Sequence, residues 1–341
     1  MTMLNERPPA PPAPPKAGDV ILSGWRYRAI GWSALLAAIG YLGFALWGGW
    51  SDVANAVARV GFFGAGVALS LSLVNYGLRF VRWQLYLSTM DHPVPHGYSL
   101  QIYLAGFTLT TTPGKAGEAL RGVLLKRWGV PYPVSLAAFL SERLSDLLAV
   151  LLLTLVGLTI YPAAHPLIAI GAAGGLLVFM MLCNRTALSR LERLLQGSTR
   201  AVALLRHSIH VLLQASRCHT PLPVVVSTAL SLVAWAAEAF AFSLILRWMG
   251  VEVPLTFAVF VYAISMLAGA LSFMPGGLGS AEAIMISLLV WHNAPTSDAV
   301  AATVLIRLAT LWFAVGIGAL NLALLRVADA ARANPRNCTS R

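Results

Sequence analysis

Ionisable residues crowd one stretch of a chain that is otherwise poor in charge. Lys115, Glu118, Arg121, Glu142, Arg143 and Asp146 all fall between Gly106 and Asp146, while charged residues make up only 11% of the sequence. The runs around them are apolar. An ionisable side chain at membrane depth costs roughly 2.5–3.5 kcal/mol on insertion scales, and it persists where it pairs or lines a polar cavity. Within the same stretch Pro113-Gly114-x-x-Gly117 interrupts any helix and frees backbone N–H and C=O groups. Such backbone is tolerated in a bilayer only under cover of protein or a wet cavity. Charge and broken backbone together predict the inner wall of a transport or binding site. The alternative is a cytosolic loop between two ordinary spans.

A second stretch has the same make-up. Pro275-Gly276-Gly277-x-Gly279 repeats the Pro-Gly-x-x-Gly pattern, and Glu282-Ala283 follows it as Glu118-Ala119 follows the first, after a two-residue insertion. Glu118 stands 25 residues before Arg143 and Glu282 stands 25 before Arg307, with Ala137-Ala138 and Ala301-Ala302 at matching offsets. Upstream, Arg82-Trp83 pairs with Arg247-Trp248 and Val94-Pro95 with Val253-Pro254. Together these matches predict an internal repeat. The expected ion pairs are Glu118–Arg143 and Glu282–Arg307, one per copy. Glu142 and Asp146, four apart on one helical face, can hold Arg121 or Lys115. Glu238 is expected either to pair with Arg247 or Arg307 or to titrate and couple transport to protons.

The rest of the chain offers little other chemistry. Cys183, Cys218 and Cys338 have no metal-ligand or disulfide spacing, and His207 and His210 read as a solvated helix face. No metal and no cofactor is expected. The net charge of +11 is explained by Lys and Arg flanking membrane spans, not by nucleic acid.

Holding such residues takes membrane helices. Hydrophobic residues reach 58% and mean hydropathy is +0.74, which marks a polytopic membrane protein. The expected fold is all-α, with about six full spans plus two re-entrant helical hairpins in inverted-topology repeats. Residues 1–28 read as a disordered Pro-rich cytoplasmic tail without a signal peptide, 29–326 as one transmembrane domain, and 327–341 as a cytoplasmic tail. Full spans are expected at about 30–50, 61–87, 133–160, 167–183, 221–246 and 299–325, with a short amphipathic outer segment at 51–60. Trp25, Trp50, Trp83 and Trp291 are expected in interfacial belts. Residues 97–112 and 119–128 are too short to cross roughly 30 Å of hydrocarbon, so they read as a hairpin entering from the cytoplasm. Residues 254–274 and 280–291 form its counterpart, entering from outside. Arg79, Arg82 and Trp83 mark a cytoplasmic span end, and the arginine-rich linker 185–219 lies on anionic lipid or simply sets topology. An odd number of crossings separates the copies, about 61–160 and 221–325, so they run in opposite senses. Inverted repeats with Gly/Pro-interrupted helices point to a transporter with a midplane site. Helix starts behind both tips would aim N–H groups and positive dipole ends at an anion.

The Arg-Trp after the second span, PGKAGE followed by Arg121, the Glu142-Arg143-x-x-Asp146 group and PGGLGSAE resemble the flippase-like family named for the transmembrane region of lysylphosphatidylglycerol synthase, over about residues 60–325. The resemblance implies a protein of a bacterial or archaeal inner membrane that moves or handles a lipid; Arg26 and Arg28 before the first span and Arg326, Arg332, Arg336 and Arg341 after the last place both termini in the cytoplasm. In the fused synthases this region is held to move aminoacylated phosphatidylglycerol between leaflets, and other members accompany polyprenyl-phosphate-sugar or hopanoid pathways. Those synthases carry a soluble acyltransferase-like domain after the membrane region. Here about fifteen residues follow the last expected span, so the chain is expected not to make lysyl-lipid and not to be an enzyme. The substrate-binding set is Pro113, Gly114, Lys115, Gly117, Glu118, Arg121, Glu142, Arg143, Asp146, Pro275, Gly276, Gly277, Gly279, Glu282 and Arg307. The expected partners are membrane lipids and a lipid- or glycan-synthesis enzyme. The competing readings are an embedded lipid-phosphate enzyme, with Glu142, Asp146 and Lys115 as acid, base and phosphate ligand, and a non-catalytic anchor for a cytosolic enzyme.

Overall fold

A computed structural model describes residues 50–111, 116–157, 165–195, 200–272 and 274–333, with positions 32, 39–41 and 43. The expected Pro-rich tail, most of the first span, the tip residues Pro113, Gly114 and Lys115, the outer turn at 161–164 and the chain beyond 333 lie outside the described residues.

Among the described residues the structure is entirely helical, without strands. Helix α1 covers Trp50–Thr89 and bends at Gly61, whose φ of 65° and ψ of 177° no helix contains. The bend falls where the expected outer segment meets the second span, and glycine permits it because it lacks a Cβ. Two short helices follow, α2 His96–Phe107 and α3 Ala116–Lys126, of 12 and 11 residues. At about 1.5 Å per residue neither reaches across a bilayer, and they pack on each other. Helix α4 runs Tyr132–Thr154, α5 His165–Cys183, α6 Arg185–Leu194, α7 Arg200–Ser216 and α8 Pro221–Trp248. Helices α9 Leu255–Leu271 and α10 Ser280–Trp291 flank the second broken segment, and α11 Thr296–Arg307 continues through a π-helical stretch, Leu308–Trp312, into α12 Phe313–Ala333.

Among the described residues, three helical segments are both long and apolar enough to cross a membrane: Ser51–Thr89, Pro221–Trp248 and Thr296–Leu325. Six full spans were expected. Helix α4 has the length, at 23 residues, but Glu142, Arg143 and Asp146 lower its hydropathy, and α5 is shorter at 19. The burial pattern is that of a lipid-facing protein. Phe62, Phe63, Ile170, Leu177 and Val225 are exposed, while Arg82, Glu142, Asp146 and Arg307 are buried.

Helices α1 and α8 lie side by side and antiparallel. Arg59 Nη1 donates to the Met249 carbonyl at 2.8 Å, Asn75 Nδ2 to that of Ala234 at 2.9 Å, and Arg217 Nη1 to that of Met90 at 3.4 Å. Both helices close with the same cap. Asp91 (φ 61°) and Gly250 (φ 79°) are left-handed, and the N–H groups of His92 and Val251 return to the carbonyls of Leu87 and Leu246, each at 2.9 Å, the Schellman pattern. Four residues beyond the left-handed position, Pro95 and Pro254 open α2 and α9. The pattern recurs after α3 and α10. Gly129 (φ 76°) and Asn293 (φ 64°) turn the chain, Val130 and Ala294 N–H reach Leu125 and Leu289 O, and Pro131 and Pro295 cap α4 and α11. Helix α4 packs on α8 and α9, and α11–α12 pack on α1 and α2. The last helix of each half thus rests on the first helix and the hairpin of the other.

Candidate functional site

The polar residues of α1 recur at helical spacing. Ser72, Asn75, Tyr76, Arg79, Arg82, Trp83 and Tyr86 form one stripe, and all but Arg79, which is half-buried, are buried. Facing it on α8 are Ser227, Ser231, Trp235 and Glu238. Helix α4 adds Glu142 and Asp146, one turn apart on its buried face.

These three helices, with Arg121 from α3, hold a continuous ion network. Asp146 receives Arg82 Nη1 at 2.6 Å, Arg79 Nη2 at 3.1 Å and Arg143 Nη2 at 3.1 Å, and the Trp235 indole N–H donates to it at 3.0 Å. Glu142 receives Arg121 Nη1 at 2.9 Å and lies 3.7 Å from Arg82 Nη2. Arg82 also donates to Ser231 Oγ. Four arginines therefore share two carboxylates, an excess of two positive charges at a largely buried site. Arg79 Nε, Arg82 Nε and Nη2, Arg121 Nε and Arg143 Nε are buried without a hydrogen-bond partner among the described residues. An unpaired buried donor costs about 1–3 kcal/mol, more when charged, so these groups would gain from an anionic acceptor.

Arg121 is seated among aromatic rings. Its guanidinium lies 4.3 Å from the Tyr103 ring centroid, 5.2 Å from Trp83 and 6.0 Å from Phe107, a cation–π cage. It reaches Glu142 across the α2–α3 crossing, where only glycine fits. A Cβ on Gly106 would stand 2.4 Å from Arg121 Nε, and one on Gly117 would stand 2.3 Å from the Gly106 carbonyl oxygen.

The second broken segment is held by a separate pair. Arg307 Nε meets Glu282 Oε1 at 2.6 Å and Nη2 donates to the Gly276 carbonyl at 2.7 Å. Glu282 Oε2 accepts the Gly279 N–H at 2.7 Å, which caps α10. Gly276, Gly277 and Gly279 all have positive φ. Gly276 also approaches the first hairpin, since a Cβ there would lie 3.6 Å from Thr111 Cγ2. The π-helical stretch begins directly after Arg307, and its Thr310 carbonyl accepts the Tyr76 hydroxyl from the α1 stripe.

Of the expected contacts, Glu282–Arg307 and Arg121–Glu142 form. Arg143 pairs with Asp146, one turn along its own helix, where Glu118 was expected; the Glu118 side chain lies outside the described residues, as does that of Pro275. Glu238 pairs with neither Arg247, which is exposed, nor Arg307, but accepts a hydrogen bond from Tyr262 Oη at 2.6 Å. Arg79 and Arg82, expected at the cytoplasmic end of a span, both pair with Asp146, a partner not expected for them. Trp83, expected in an interfacial belt, is buried and donates to Ser99 Oγ at 3.2 Å. The stripe from Ser72 to Tyr86 was the available signal for both.

A family profile described as the lysylphosphatidylglycerol synthase TM region matches residues 31–318. Two curated proteins called UPF0104 membrane protein, both from Methanothermobacter thermautotrophicus, are similar. They are 31% identical over 91 and 93 residues, 27% of this chain in each case and 27% and 28% of the relatives. The chain therefore spans little more than a quarter of the length of the curated relatives it matches.

Proposed function

The chain belongs to the lysylphosphatidylglycerol synthase transmembrane-region family, and on that premise we propose that it is a flippase-like lipid transporter. It carries a phosphate-bearing head group, that of a phospholipid, an aminoacyl-lipid or a polyprenyl-linked lipid, between leaflets of a bacterial inner membrane. Both termini face the cytoplasm, and the lipid leaves chemically unchanged. The observation that carries this reading is the buried excess of positive charge, in which Arg79, Arg82, Arg121 and Arg143 share Glu142 and Asp146 and several N–H groups lack acceptors among the described residues. A phosphate offers such donors charge-assisted hydrogen bonds.

The proposed architecture is the inverted repeat. It is supported by the antiparallel α1–α8 pair, the caps recurring at matched positions and the reciprocal packing of α4 and α11–α12. Midplane sites between inverted repeats with broken helices are a recurring transporter design. The acyl chains of a lipid can stay in the bilayer while the head group crosses, so a polar groove is sufficient.

The decisive experiment is reconstitution into liposomes with head-group-labelled lipid in one leaflet and mass spectrometry of the recovered lipid. The expected result is faster head-group crossing than in protein-free vesicles with no new lipid species. Crossing no faster than in empty vesicles overturns the reading, and a chemically altered lipid replaces it with an embedded enzyme.

A further inference from the structure

Between α5 and α8 the chain forms two helices of a different character, α6 Arg185–Leu194 and α7 Arg200–Ser216. Helix α6 has 10 residues and carries Arg185, Arg190, Glu192 and Arg193, so it is too short and too charged to cross a bilayer. Across both helices five arginines, with Arg200 and Arg206, stand against one acid, Glu192. Both ends of the pair are tied to the membrane surface. Asn184 alone separates the apolar α5 from α6, and the Leu188 N–H donates to its carbonyl at 3.1 Å, which leaves no linker by which α6 could depart. At the other end α7 passes through the turn Arg217–His219 into α8, which is long and apolar enough to span. The two helices pack on each other, and α7 also packs on α4.

Both helices are amphipathic, and the protein covers only part of their apolar faces. On α7, Ala201, Leu204, Leu205 and Ser208 share one face at helical spacing, while Arg206, His207 and His210 share the other. Leu188 of α6 and Ile209 and Val211 of α7 are buried against the fold. Leu191 and Leu194 on α6 and Leu204 and Leu205 on α7 are left 42%, 77%, 69% and 47% exposed. The cations beside them are equally uncommitted. Arg185, Arg190, Arg193 and Arg206 are exposed and form no ion pair among the described residues; Arg193 and Arg206 donate only to the backbone carbonyls of Ser189 and Leu195. Exposed leucines rimmed by charge mark a surface that meets a membrane or a protein. Here the attachment of both ends to apolar helices and the single sign of the free charge select the membrane, and within it the anionic head groups.

We propose that α6–α7 is an interfacial anchor that lies in the plane of the membrane on anionic lipid, in the leaflet at which α5 ends and α8 begins. Leu191, Leu194, Leu204 and Leu205 enter the boundary between head groups and acyl chains, and the long arginine side chains reach the lipid phosphates while their helices stay at the surface. The proposal is independent of the transporter reading. An amphipathic helix of this kind is held by its buried apolar area together with the attraction of its cations to anionic lipid. The attraction falls off within a Debye length of the surface, so it operates only while the hairpin is seated and weakens with salt. His210, opposite the leucines on α7, stays on the water side.

The test is a depth measurement on the full chain, with Cys183 and Cys338 changed to serine and the buried Cys218 retained. Leu194→Cys, Leu204→Cys and His210→Cys are spin-labelled one at a time in nanodiscs of phosphatidylcholine, with or without phosphatidylglycerol. Collisions with oxygen, which concentrates among acyl chains, are compared with collisions with a water-soluble nickel chelate. With phosphatidylglycerol present, the labels at Leu194 and Leu204 are expected about 5–10 Å below the phosphates and the label at His210 in water. Both leucine labels are expected to rise toward the surface in phosphatidylcholine alone, and also at about 1 M salt, where the Debye length is about 3 Å. Changing Arg185, Arg190, Arg193 and Arg206 together to glutamine should place them, in the anionic discs, where phosphatidylcholine alone does. Leucine labels as open to nickel as the one at His210 overturn the anchor, because the hairpin then stands in water. Labels shielded from both reagents overturn it in favour of a protein surface, such as a second copy of the chain. A depth unchanged by lipid charge and by salt overturns the assignment to anionic lipid. Should the fourfold variant not fold, the salt series on the unchanged arginines decides that last point by itself.

Discussion

Asp146 binds three arginines and an indole with two oxygens, and no other side chain among the described residues holds as many parts of the site together. Asp146→Asn keeps the shape and removes the charge that Arg79, Arg82 and Arg143 share. Breaking a buried pair by removing one partner costs about 3–5 kcal/mol, so the variant is expected to show a large loss of thermal stability in detergent. A melting temperature within error of wild type would mean that the network is not buried in the working protein. The Glu282–Arg307 pair, 3% and 5% exposed, gives a cleaner exchange. Glu282→Gln and Arg307→Gln are each expected to lower stability and transport, and the double change Glu282→Arg, Arg307→Glu is expected to recover part of the loss. Full additivity of the two single defects in that double variant would deny a direct pair. Both this pair and Arg121–Glu142 could be read from the sequence, because charges this sparse in an apolar chain have few possible partners. Arg79 and Arg82 could not be assigned in the same way. Two arginines at the end of an apolar run have the form of a cytoplasmic flank, and only the packing of α4 and α8 against α1 shows that Asp146, Ser231 and Trp235 await them.

At the scale of the element, the second broken segment depends on backbone that only glycine adopts readily. Gly276 has φ of 61° and lies in ordinary contact distance of Leu311 and Thr111. A β-branched side chain there meets strain of about 1–3 kcal/mol and adds bulk between the two hairpins. Gly276→Val is expected to reach the membrane at normal levels while head-group crossing falls by tenfold or more. Wild-type crossing would show that the segment lies off the transport path. The short helices α2 and α3 follow the same logic of close approach, since Gly106 leaves room for Arg121 and Gly117 lets α3 come against the Gly106 carbonyl. The lengths of these helices were readable from where the Pro-Gly interruptions fall. The π-helical stretch after Arg307 was not, because i→i+5 bonding has no composition signal; it shows only once Tyr76 is seen capturing the Thr310 carbonyl.

Across the whole molecule, the proposed inverted repeat puts equivalent turns on opposite faces of the membrane. The turns after α1 and α3 are expected on the cytoplasmic side and those after α8 and α10 outside. Single cysteines at His92 and Arg127 should therefore react with an impermeant maleimide only from the cytoplasm, and those at Glu252 and Asn293 only from outside. Cys183 and Cys338 are replaced by serine beforehand. Cys218 can stay, because it is buried and burial pushes its thiol up to about 12, which leaves almost no reactive thiolate. Labelling of both sets from one face would refute the inverted arrangement and remove the midplane site built on it.

The sequence by itself determined that this chain lives in a membrane, that its helices are interrupted at two matched points, and which of its few acids and bases sit near those points. Hydropathy, proline and glycine act locally along the chain, so their consequences can be read without knowing what lies opposite. Only the tertiary structure decided how the charges are shared. The α1 stripe and the α8 stripe are more than 140 residues apart in sequence, and Asp146 lies between them. Coulombic pairing depends on distance in space, and that distance is set by the antiparallel packing of α1 and α8 with α4 across them.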